Sequence, residues 1–395
     1  MKICACIAEY NPFHNGHLKH IEYIKNTLRA EKLIVIMSGA FCQRGEPAVL
    51  DKWTRAKHAI LAGADMVVEL PTLFATANAE IFAKGAVKII DALGIADGLC
   101  FGVESGKAQD YIALASAMNN ETKEFKRALK KYLDEGVSLA KAKFLALKDT
   151  EKNSSLGEFD DLELISYPNN ILALEYTKAL LSLNSKIDIY PMLRTGDHND
   201  VTLKKGVTSA TSIRSILKQG KTKGLKGCVP KYVFCDLEGY PFAFDKITLA
   251  KILATSAEEL EKAPDCTEGL ENRIKALAKD SKSVDVLVDK VSTKRYTTTR
   301  VRRILTANLL GITKGLVSDC LNGELYAKVL AVRSDCKELI SLVASKSKIP
   351  LLTRKSDESL LSKTAKKCFA VDLLANDLYN LVTEKSLNEH QMIIV

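Results

Sequence analysis

Short apolar runs that alternate with amphipathic stretches constrain the fold of this chain more than any other feature. Residues 2–8 (KICACIA) and 32–37 (KLIVIM) have the composition of buried strands, and residues 17–30 between them repeat apolar side chains at helical spacing. A strand, a helix and a second strand in this order form a right-handed crossover between parallel strands. The alternation continues, with strands predicted at 66–70, 98–101 and 187–190 and helices at 53–62, 79–93 and 211–218. The sequence therefore predicts an α/β fold built on a doubly wound parallel sheet.

A change of pattern near residue 220 predicts a second domain. Helices are predicted there at 249–260, 270–278, 284–291, 298–310, 356–367 and 371–382, and only 324–332 and 392–395 have the pattern of strands. A lysine- and glutamate-rich helical stretch near residues 104–165 is predicted to be an insertion in the first domain. We therefore expect an α/β domain over residues 1–220 and a mainly helical domain over 221–395, in line with a length of 395 residues.

Charge and cysteine content narrow the possible classes of protein. The net charge of +9 is uneven, with 28 Lys and Arg against 26 Asp and Glu up to residue 220, and 29 against 22 beyond it. The basic second part is compatible with RNA binding and also with a solvated lysine-rich surface. The ten cysteines form no CxxC pair, so neither zinc sites nor disulfides are indicated. The expected compartment is the reducing cytoplasm. No signal-peptide layout and no membrane-length apolar run are present, so we expect no membrane association.

The segment NPFHNGH at residues 11–17 is the strongest chemical signal. It follows the first predicted strand and opens the first predicted helix, where free backbone N–H groups favour phosphate. His14 and His17 are three residues apart and can both donate hydrogen bonds to a phosphoryl group in a transition state. Gly16 is expected to let a nucleotide approach the backbone closely. The alternative is a histidine pair that only caps the helix, but the strand before it, the helix after it and the His-x-Gly-His spacing together favour a phosphate site.

A resemblance to a known family rests on this motif and on further blocks. They are IAEYNPFHNGH, SGAFCQRGEPAVLDKW, GADMVVELP, NAEIFAKGAV, LCFGVESG, YPNNILALEY, TSATSIRSIL and KRYTTTRVRRIL. His14–His17 resembles the HIGH signature of the nucleotidyltransferase superfamily, and the blocks together resemble the tRNA(Met) cytidine acetate ligase family over nearly the whole chain. The resemblance implies a Rossmann-like nucleotidyltransferase domain followed by a tRNA-binding domain. This chain departs from the usual family pattern at Asn78, Val103 and Ala173, where Ser, Ser and Gly are usual.

The resemblance implies a two-step reaction that uses ATP. Acetate and ATP would give acetyladenylate and pyrophosphate, and the wobble cytidine of elongator tRNA(Met) would then accept the acetyl group to form acetylcytidine. The expected partners are therefore tRNA and acetate, with no protein partner indicated. Any metal would be Mg²⁺ bound chiefly through the ATP phosphates, because no metal-ligand cluster is visible in the sequence.

The site residues that follow from the motif and the resemblance fall into two sets. The catalytic set is His14, His17 and Arg44. The nucleotide-binding set is Ile7, Ala8, Glu9, Tyr10, Asn11, Pro12, Phe13, His14, Asn15, Gly16, His17, Leu18, Lys19, His20, Gly102, Asn169, Asn170, Arg194 and Thr195.

Several of these residues also have plainer interpretations. Arg44 could neutralise a triphosphate or pair with Glu46 at the surface. Gly102 could allow close contact with a nucleotide or simply form a turn. The Asn pair at 169–170 could cap a backbone segment or contact adenine. In the segment 208–214 (TSATSIR), Thr211 or Ser212 is expected to be a helix N-cap, while the Arg at position 214 could reach pyrophosphate. The histidines at positions 58 and 198 are interpreted as incidental.

The segment KRYTTTRVRR at residues 294–303 predicts the RNA contact. It places five basic residues and one tyrosine within ten positions. Such clusters attract backbone phosphates, and a tyrosine ring can stack on an unpaired base. A solvated helix face is the alternative. The predicted RNA-binding residues are Lys294, Arg295, Tyr296, Arg300 and Arg303.

Two other functions remain as alternatives at this stage. One is a small-molecule adenylyltransferase with no RNA substrate, against which the large basic helical part argues. The other is a non-catalytic RNA-binding protein that retains an inactive nucleotide site, against which the intact His14, Gly16 and His17 argue.

Overall fold

The computed structural model describes residues 2–119, 122–136, 139–150, 163–194, 209–241 and 243–395. Its strands are β1 (Ile3–Ala8), β2 (Lys32–Ser38), β3 (Phe41–Cys42), β4 (Glu46–Pro47), β5 (Met66–Leu70), β6 (Gly98–Val103), β7 (Asp188–Leu193), β8 (Ala327–Val332), β9 (Leu351–Leu352) and β10 (Ile393–Ile394).

One large sheet is the centre of the fold. Its strand order is β10–β8–β5–β2–β1–β6–β7, with β9 on β8, and the β3–β4 hairpin stands apart. Strand β1 pairs in parallel with β2 and with β6, so its carboxyl end lies in the middle of the sheet. The one antiparallel pairing in this order joins β5 to β8. The predicted α/β class is confirmed, as a mixed sheet that is mostly parallel.

Helices cover both faces of this sheet. The α-helices of the first part are α1 (Asn15–Glu22), α2 (Lys52–Leu61), α3 (Thr72–Ala75), α4 (Ala79–Leu93), α5 (Ala108–Asn119), α6 (Lys123–Asp134), α7 (Leu139–Thr150), α8 (Glu163–Ser166), α9 (Pro168–Ser182) and α10 (Ala210–Lys218). Those of the second part are α11 (Lys231–Asp236), α12 (Phe244–Ala254), α13 (Ala257–Leu260), α14 (Leu270–Ala278), α15 (Val284–Val291), α16 (Thr298–Leu309), α17 (Lys314–Asn322), α18 (Glu338–Lys346) and α19 (Lys363–Thr383). A π-helical turn extends α1 over Tyr23–Thr27, and two 3₁₀ turns lie at Thr222–Leu225 and Lys355–Leu360.

Two predicted helices are divided in the structure, in each case at a serine. The helix predicted at 249–260 is α12 followed by α13, because Ser256 starts a new helix through a capping box with Glu259. The helix predicted at 356–367 is a 3₁₀ turn followed by α19, because the Ser362 hydroxyl accepts a hydrogen bond from Ala365 and begins the longer helix. A local cap therefore outweighs a continuous apolar pattern at both places.

The C-terminal strands do not stay within the helical part. Strand β8, predicted at 324–332, pairs with β5 of the first part, and β10, predicted at 392–395, pairs with β8. The boundary near residue 220 stays a prediction, but the sheet crosses it. The apolar pattern could not reveal this crossing, because it predicts a strand without naming the strand's partner.

A buried charge network joins the two parts next to the sheet. Lys52 Nζ lies 2.6 Å from Glu69 Oε1 and 2.6 Å from Glu389 Oε1, while Lys328 Nζ lies 3.0 Å from Glu69 Oε2 and also bonds Glu389. All four side chains are at most 5% exposed. Two lysines and two glutamates cancel in charge, which is what makes their burial tolerable.

Asp372 is a fifth ionisable group, and the third acidic one, beside this network. It accepts hydrogen bonds from the backbone N–H of Thr72 at 2.7 Å and from the Tyr326 hydroxyl. Burial, together with the negative charges of Glu69 and Glu389, raises the pKa of Asp372 from 3.8 to about 7. When Asp372 is protonated, the cluster of two lysines, two glutamates and this carboxyl is neutral. The protonated form of Asp372 is therefore favoured at moderate pH.

Asp372→Asn should change how stability depends on pH. Because the pKa of Asp372 is higher in the native than in the unfolded protein, protonation of this carboxyl favours the native state. That contribution is fully present at a pH below the unfolded pKa and is lost as pH rises through the native pKa. Wild-type stability should therefore fall between about pH 4 and pH 7 by up to about 4 kcal/mol relative to the variant. Denaturant unfolding at pH 5, 6, 7 and 8 measures this, and a constant difference between the two proteins would contradict it.

Candidate functional site

A pocket lies at the carboxyl ends of β1 and β6, where a parallel sheet usually binds its ligand. The loop after β1, helix α1, the β3–β4 loop, α4, α9, the end of β7 and the start of α10 all contribute to it. The lining residues are Ile7, Ala8, Glu9, Tyr10, Asn11, His14, His17, His20, Gln43, Arg44, Phe82, Phe101, Gly102, Pro168, Asn169, Leu172, Tyr176, Arg194, Ser209, Ala210, Thr211 and Arg214.

Two histidines form the start of α1. His14 is the N-cap, and its Nδ1 accepts a hydrogen bond from the Gly16 N–H at 3.0 Å. His17 Nδ1 accepts one from the His14 N–H at 3.3 Å, which completes a capping box. The two rings are stacked 3.7 Å apart. Since each Nδ1 acts as an acceptor, a neutral ring carries its proton on Nε2, and that N–H is the donor left for a ligand.

Three histidines on this face of α1 are held neutral. Burial lowers the pKa of His14 to about 3, with further lowering by the charges of Arg194 and Arg214. Burial also lowers the pKa of His17 well below its usual value, with added effects from His14 and Arg194, and lowers that of His20 to about 4. At physiological pH the rings therefore donate hydrogen bonds without carrying charge.

Gly16 makes room for the His14 ring, and its predicted contact with a nucleotide stays a prediction. A Cβ built on Gly16 would lie 2.8 Å from His14 Cε1 and 3.0 Å from its Nδ1. The space that the missing side chain leaves is thus filled by the His14 ring, and Gly16 is absent from the pocket lining. The glycine is needed so that the histidine can fold back over its own helix.

The other residues of the predicted nucleotide-binding set divide into lining and supporting positions. Pro12, Phe13, Asn15, Leu18, Lys19 and Asn170 are not among the lining residues. The Phe13 ring is buried against Tyr10 and His17, and Asn15 bonds the Gly227 carbonyl at 3.0 Å. Thr195 and His198 lie outside the described residues.

The Asn pair separates into two functions. Asn170 Oδ1 accepts hydrogen bonds from the N–H groups of Glu104 at 2.8 Å and Ser105 at 3.4 Å, so it holds the loop after β6. Asn169 lines the pocket and donates to Glu104 Oε1 at 2.5 Å. Gly102, just before this loop, faces Arg194, whose Cγ would lie 3.2 Å from an added Cβ. A side chain at position 102 would therefore displace Arg194.

Three arginines make the pocket cationic. In the described part of the chain, neither Arg44 nor Arg194 has a carboxylate within ion-pair distance, and both line the pocket. The surface pair of Arg44 with Glu46 is not formed; Glu46 instead lies 3.6 Å from Arg214. Arg214 also donates to the Asn11 carbonyl at 2.8 Å. This side of the pocket is suited to polyphosphate.

Four apolar lining residues and the N-cap of α10 were not predicted from the sequence. Phe82, Phe101, Leu172 and Tyr176 give the pocket an apolar wall, which suits a flat base or a methyl group. Their spacing is that of ordinary core residues, so the sequence carries no distinguishing signal. Helix α10 begins one residue earlier than predicted, with Ser209 rather than Thr211 or Ser212 as its N-cap.

Arg55 was missed as well, although it supports the site. Its guanidinium is fully buried and donates to the carbonyls of Glu9 at 2.7 Å, Ser38 at 3.0 Å and Leu50 at 2.9 Å, and also to Gly39. It therefore ties together the chain segments that leave β1 and β2. The signal is weak in sequence, because an arginine in an early helical turn is usually interpreted as solvent-facing.

The predicted RNA-binding residues lie together at the start of α16. Arg295 makes a bidentate pair with Glu268 at 2.7 and 3.0 Å, and Arg303 bonds Asp265 at 2.9 Å. Arg300 donates to the Asp265 carbonyl and lies 5.4 Å from the Tyr296 ring centre. Lys294 is exposed and has no bonded partner in the described part of the chain. The arginines therefore also hold the loop 265–268.

The described residues show neither a metal-ligand cluster nor a single helix with the length and apolarity of a membrane span. Among the described residues, no group of three or more His, Cys, Asp or Glu side chains is arranged to hold a metal ion. Within that same part of the chain no single helix could cross a membrane by length and apolarity, although the bent pair Thr298–Leu309 and Lys314–Asn322 passes on those criteria alone. His58 is buried and bonds Asp236 at 2.8 Å, away from the pocket.

The fold and the paired histidines define a nucleotidyltransferase. Residues 1–392 match the family model for HIGH nucleotidyl transferases. The tRNA(Met) cytidine acetate ligase of Alkaliphilus metalliredigens is 37% identical, covering 98% of this chain and 95% of its own, and that of Clostridium acetobutylicum is 36% identical over 98% and 97%. The chain therefore belongs to the tRNA(Met) cytidine acetate ligase family, within the HIGH nucleotidyltransferases.

Solved structures agree with this assignment. The crystal structure of Thermotoga maritima TmcAL in its apo form superposes with a TM-score of 0.92 at 28% identity, covering all of both chains. The same protein bound with alpha-thio ATP gives a TM-score of 0.89 at 27% identity, again over the whole of both chains.

Substitutions at His14 should separate its cap from its Nε2–H donor. Asparagine is a good N-cap but lacks that donor, whereas alanine lacks both. Both His14→Asn and His14→Ala should slow adenylate formation by roughly a hundredfold or more, as for loss of one transition-state donor. Only His14→Ala should also lose about 1 kcal/mol of stability. Pyrophosphate exchange and denaturant unfolding test this; wild-type exchange in His14→Asn would make the ring purely structural.

Proposed function

We propose that this chain activates acetate with ATP and transfers the acetyl group to the wobble cytidine of elongator tRNA(Met). The observation that supports this best is the pair of neutral histidines, each with its Nε2–H left for a ligand, in a pocket with three arginines. Family membership supplies the reaction class, and the relatives' names supply the tRNA substrate.

In the first step an acetate oxygen attacks the α-phosphorus of ATP. The bond from that phosphorus to the bridging oxygen breaks, and pyrophosphate leaves. Negative charge grows on the α-phosphoryl oxygens and on the leaving group, where the Nε2–H groups of His14 and His17 donate. Arg44, Arg194 and Arg214 neutralise the triphosphate. Because the histidines stay neutral, this stabilisation does not depend on their titration.

In the second step the exocyclic amine of cytidine attacks the acetyl carbonyl carbon. The bond between that carbon and the AMP oxygen breaks, AMP leaves, and the nitrogen loses one proton. The apolar side chains of Phe82, Phe101 and Tyr176 line this pocket and would shield a reactive mixed anhydride from water.

We expect any Mg²⁺ to be bound through the ATP phosphates. The only carboxylate that lines the described pocket is that of Glu9, which already accepts a hydrogen bond from the Gln43 N–H at 2.6 Å. A donor set this small fits an ion held mainly by phosphate and water, which is usual for Mg²⁺. The ion would neutralise charge on the leaving pyrophosphate.

We propose that tRNA contacts the start of α16 through Lys294, Arg295, Tyr296, Arg300 and Arg303. Lys294 and Arg295 are the most accessible of these, since Lys294 is exposed and the Arg295 side chain is 68% exposed, whereas that of Arg303 is only 14% exposed. Phosphate would therefore contact Lys294 and Arg295 first. The small-molecule adenylyltransferase is not favoured, because the relatives align over almost the whole chain, including its basic helical part. A cytoplasmic location remains part of this proposal.

The central test supplies all three substrates. Incubation with ATP, radiolabelled acetate and total tRNA should give a labelled acetylcytidine after digestion, together with one pyrophosphate for each acetyl group transferred. Omitting tRNA should leave acetate-dependent exchange of pyrophosphate into ATP. ADP and free phosphate as the only products would contradict the proposal.

Lys294→Ala should weaken tRNA binding in a salt-dependent way. Loss of one phosphate contact should reduce the slope of log affinity against log salt by about one unit, or somewhat less for single-stranded RNA. Lys363→Ala removes another exposed lysine, in the first turn of α19, and serves as the control. Binding across a salt series measures both, and equal slopes for the two variants would remove Lys294 from the RNA contact.

A further inference from the structure

Glu46 lies at the centre of a charge cluster behind the nucleotide pocket. Its carboxylate is 3.6 Å from Arg214 Nε, 4.0 Å from Lys218 Nζ and 3.5 Å from Arg302 Nε. The Glu46 side chain is only 13% exposed. Asp285 bonds Arg302 and lies 3.3 Å from Lys218, so it neutralises part of the surplus positive charge. Ion pairs this well shielded from water are stronger than ordinary surface pairs.

The backbone next to Glu46 is seated directly on α16. A Cβ on Gly45 would lie 2.5 Å from the carbonyl carbon of Arg302 and 2.5 Å from the nitrogen of Arg303, so no side chain fits between the two segments. Gly45 has φ = +71°, a conformation that glycine adopts most easily. The Thr306 hydroxyl donates to the Gly45 carbonyl at 2.9 Å. Helix α16 therefore fixes the loop of the β3–β4 hairpin.

This hairpin loop also forms part of the pocket. Gln43 and Arg44, the two residues before Gly45, line the pocket, as does Arg214. Arg302 does not line the pocket. It lies on α16 together with Arg300 and Arg303, which bond the loop 265–268 instead of Glu46. One helix thus contacts both the proposed RNA surface and the back of the nucleotide pocket.

We propose that Arg302 is a positioning residue for the nucleotide pocket, acting through Glu46 on Arg214 and on the loop that carries Arg44. This inference rests on the proposed function only in taking ATP as the ligand. Glu46 holds Arg214 from one side and Arg302 holds Glu46 from the other. Loss of Arg302 leaves the hairpin without its charged link to α16, and the two pocket arginines lose their fixed positions.

A double-mutant cycle on ATP binding tests this link. ATP affinity is measured by calorimetry, without acetate, for the wild type, Arg302→Gln, Glu46→Gln and the double variant. Arg302→Gln should weaken ATP binding about fivefold when Glu46 is present, and less than about twofold in the Glu46→Gln background, because a coupled pair is not additive. Arg302→Lys keeps the charge and should restore most of the affinity.

The control is Arg273→Gln on α14, where an exposed arginine bonds the Val291 carbonyl at 3.0 Å and has no contact with Glu46. Arg273→Gln should leave ATP affinity unchanged and should have the same thermal stability as the wild type. An equal effect of Arg302→Gln in both backgrounds would reduce the residue to a distant charge, and wild-type affinity in Arg302→Gln would overturn the inference. Failure of the proposed function gives a different result from failure of this inference. The protein would then show no acetate-dependent pyrophosphate exchange, while the coupling of Arg302 and Glu46 in ATP binding would remain.

Discussion

The hydrogen bonds from backbone N–H groups to the Nδ1 atoms of His14 and His17 are the constraint on which the site depends. They satisfy two of the orphan donors at the start of α1, and they fix which nitrogen of each ring keeps a proton. A helix cap and a phosphate donor are usually considered competing explanations for a histidine. The His14 ring is compatible with both, because Nδ1 accepts the cap hydrogen bond and the opposite Nε2–H is left for a ligand. Gly16 follows from the same constraint, because any larger residue would push the His14 ring away.

Charge balance at the pocket is arranged in a similar way. The three histidines are neutral, so the positive charge comes from arginines that enter on three separate segments: the β3–β4 loop, the end of β7 and helix α10. A charged histidine next to these arginines would cost free energy through repulsion and burial, which is why the pKa values of His14 and His20 fall to about 3 and about 4. Permanent charge and directional donation are thus assigned to different residue types.

The class of fold could be predicted from the sequence, and so could the position of the pocket after β1, because both depend on local pattern. Strand β1, the loop after it and helix α1 are adjacent in the chain, so periodicity and the His-x-Gly-His spacing were sufficient there. The aromatic wall, Arg55 and the Glu46 cluster depend on contacts between distant segments, which a single sequence does not show. Arg302 illustrates this: the sequence leaves it out of the predicted RNA-binding set without giving it a partner, and only the packing of α16 shows that it pairs with Glu46 while Arg300 and Arg303 bond the loop 265–268.

The pairing of β8 with β5 has a consequence for how the chain is made. Until residues 327–332 leave the ribosome, the edge of β5 has no strand beside it, and Glu69 has Lys52 but not Lys328 or its link to Glu389. The half that carries the pocket is synthesised first, yet it cannot complete its sheet until nearly the whole chain exists. Such long-range pairing slows folding and leaves a strand edge exposed to wrong partners in the meantime. Synthesis that stops early therefore yields an open β-edge beside a partly neutralised buried acid, a species that chaperones bind or that aggregates.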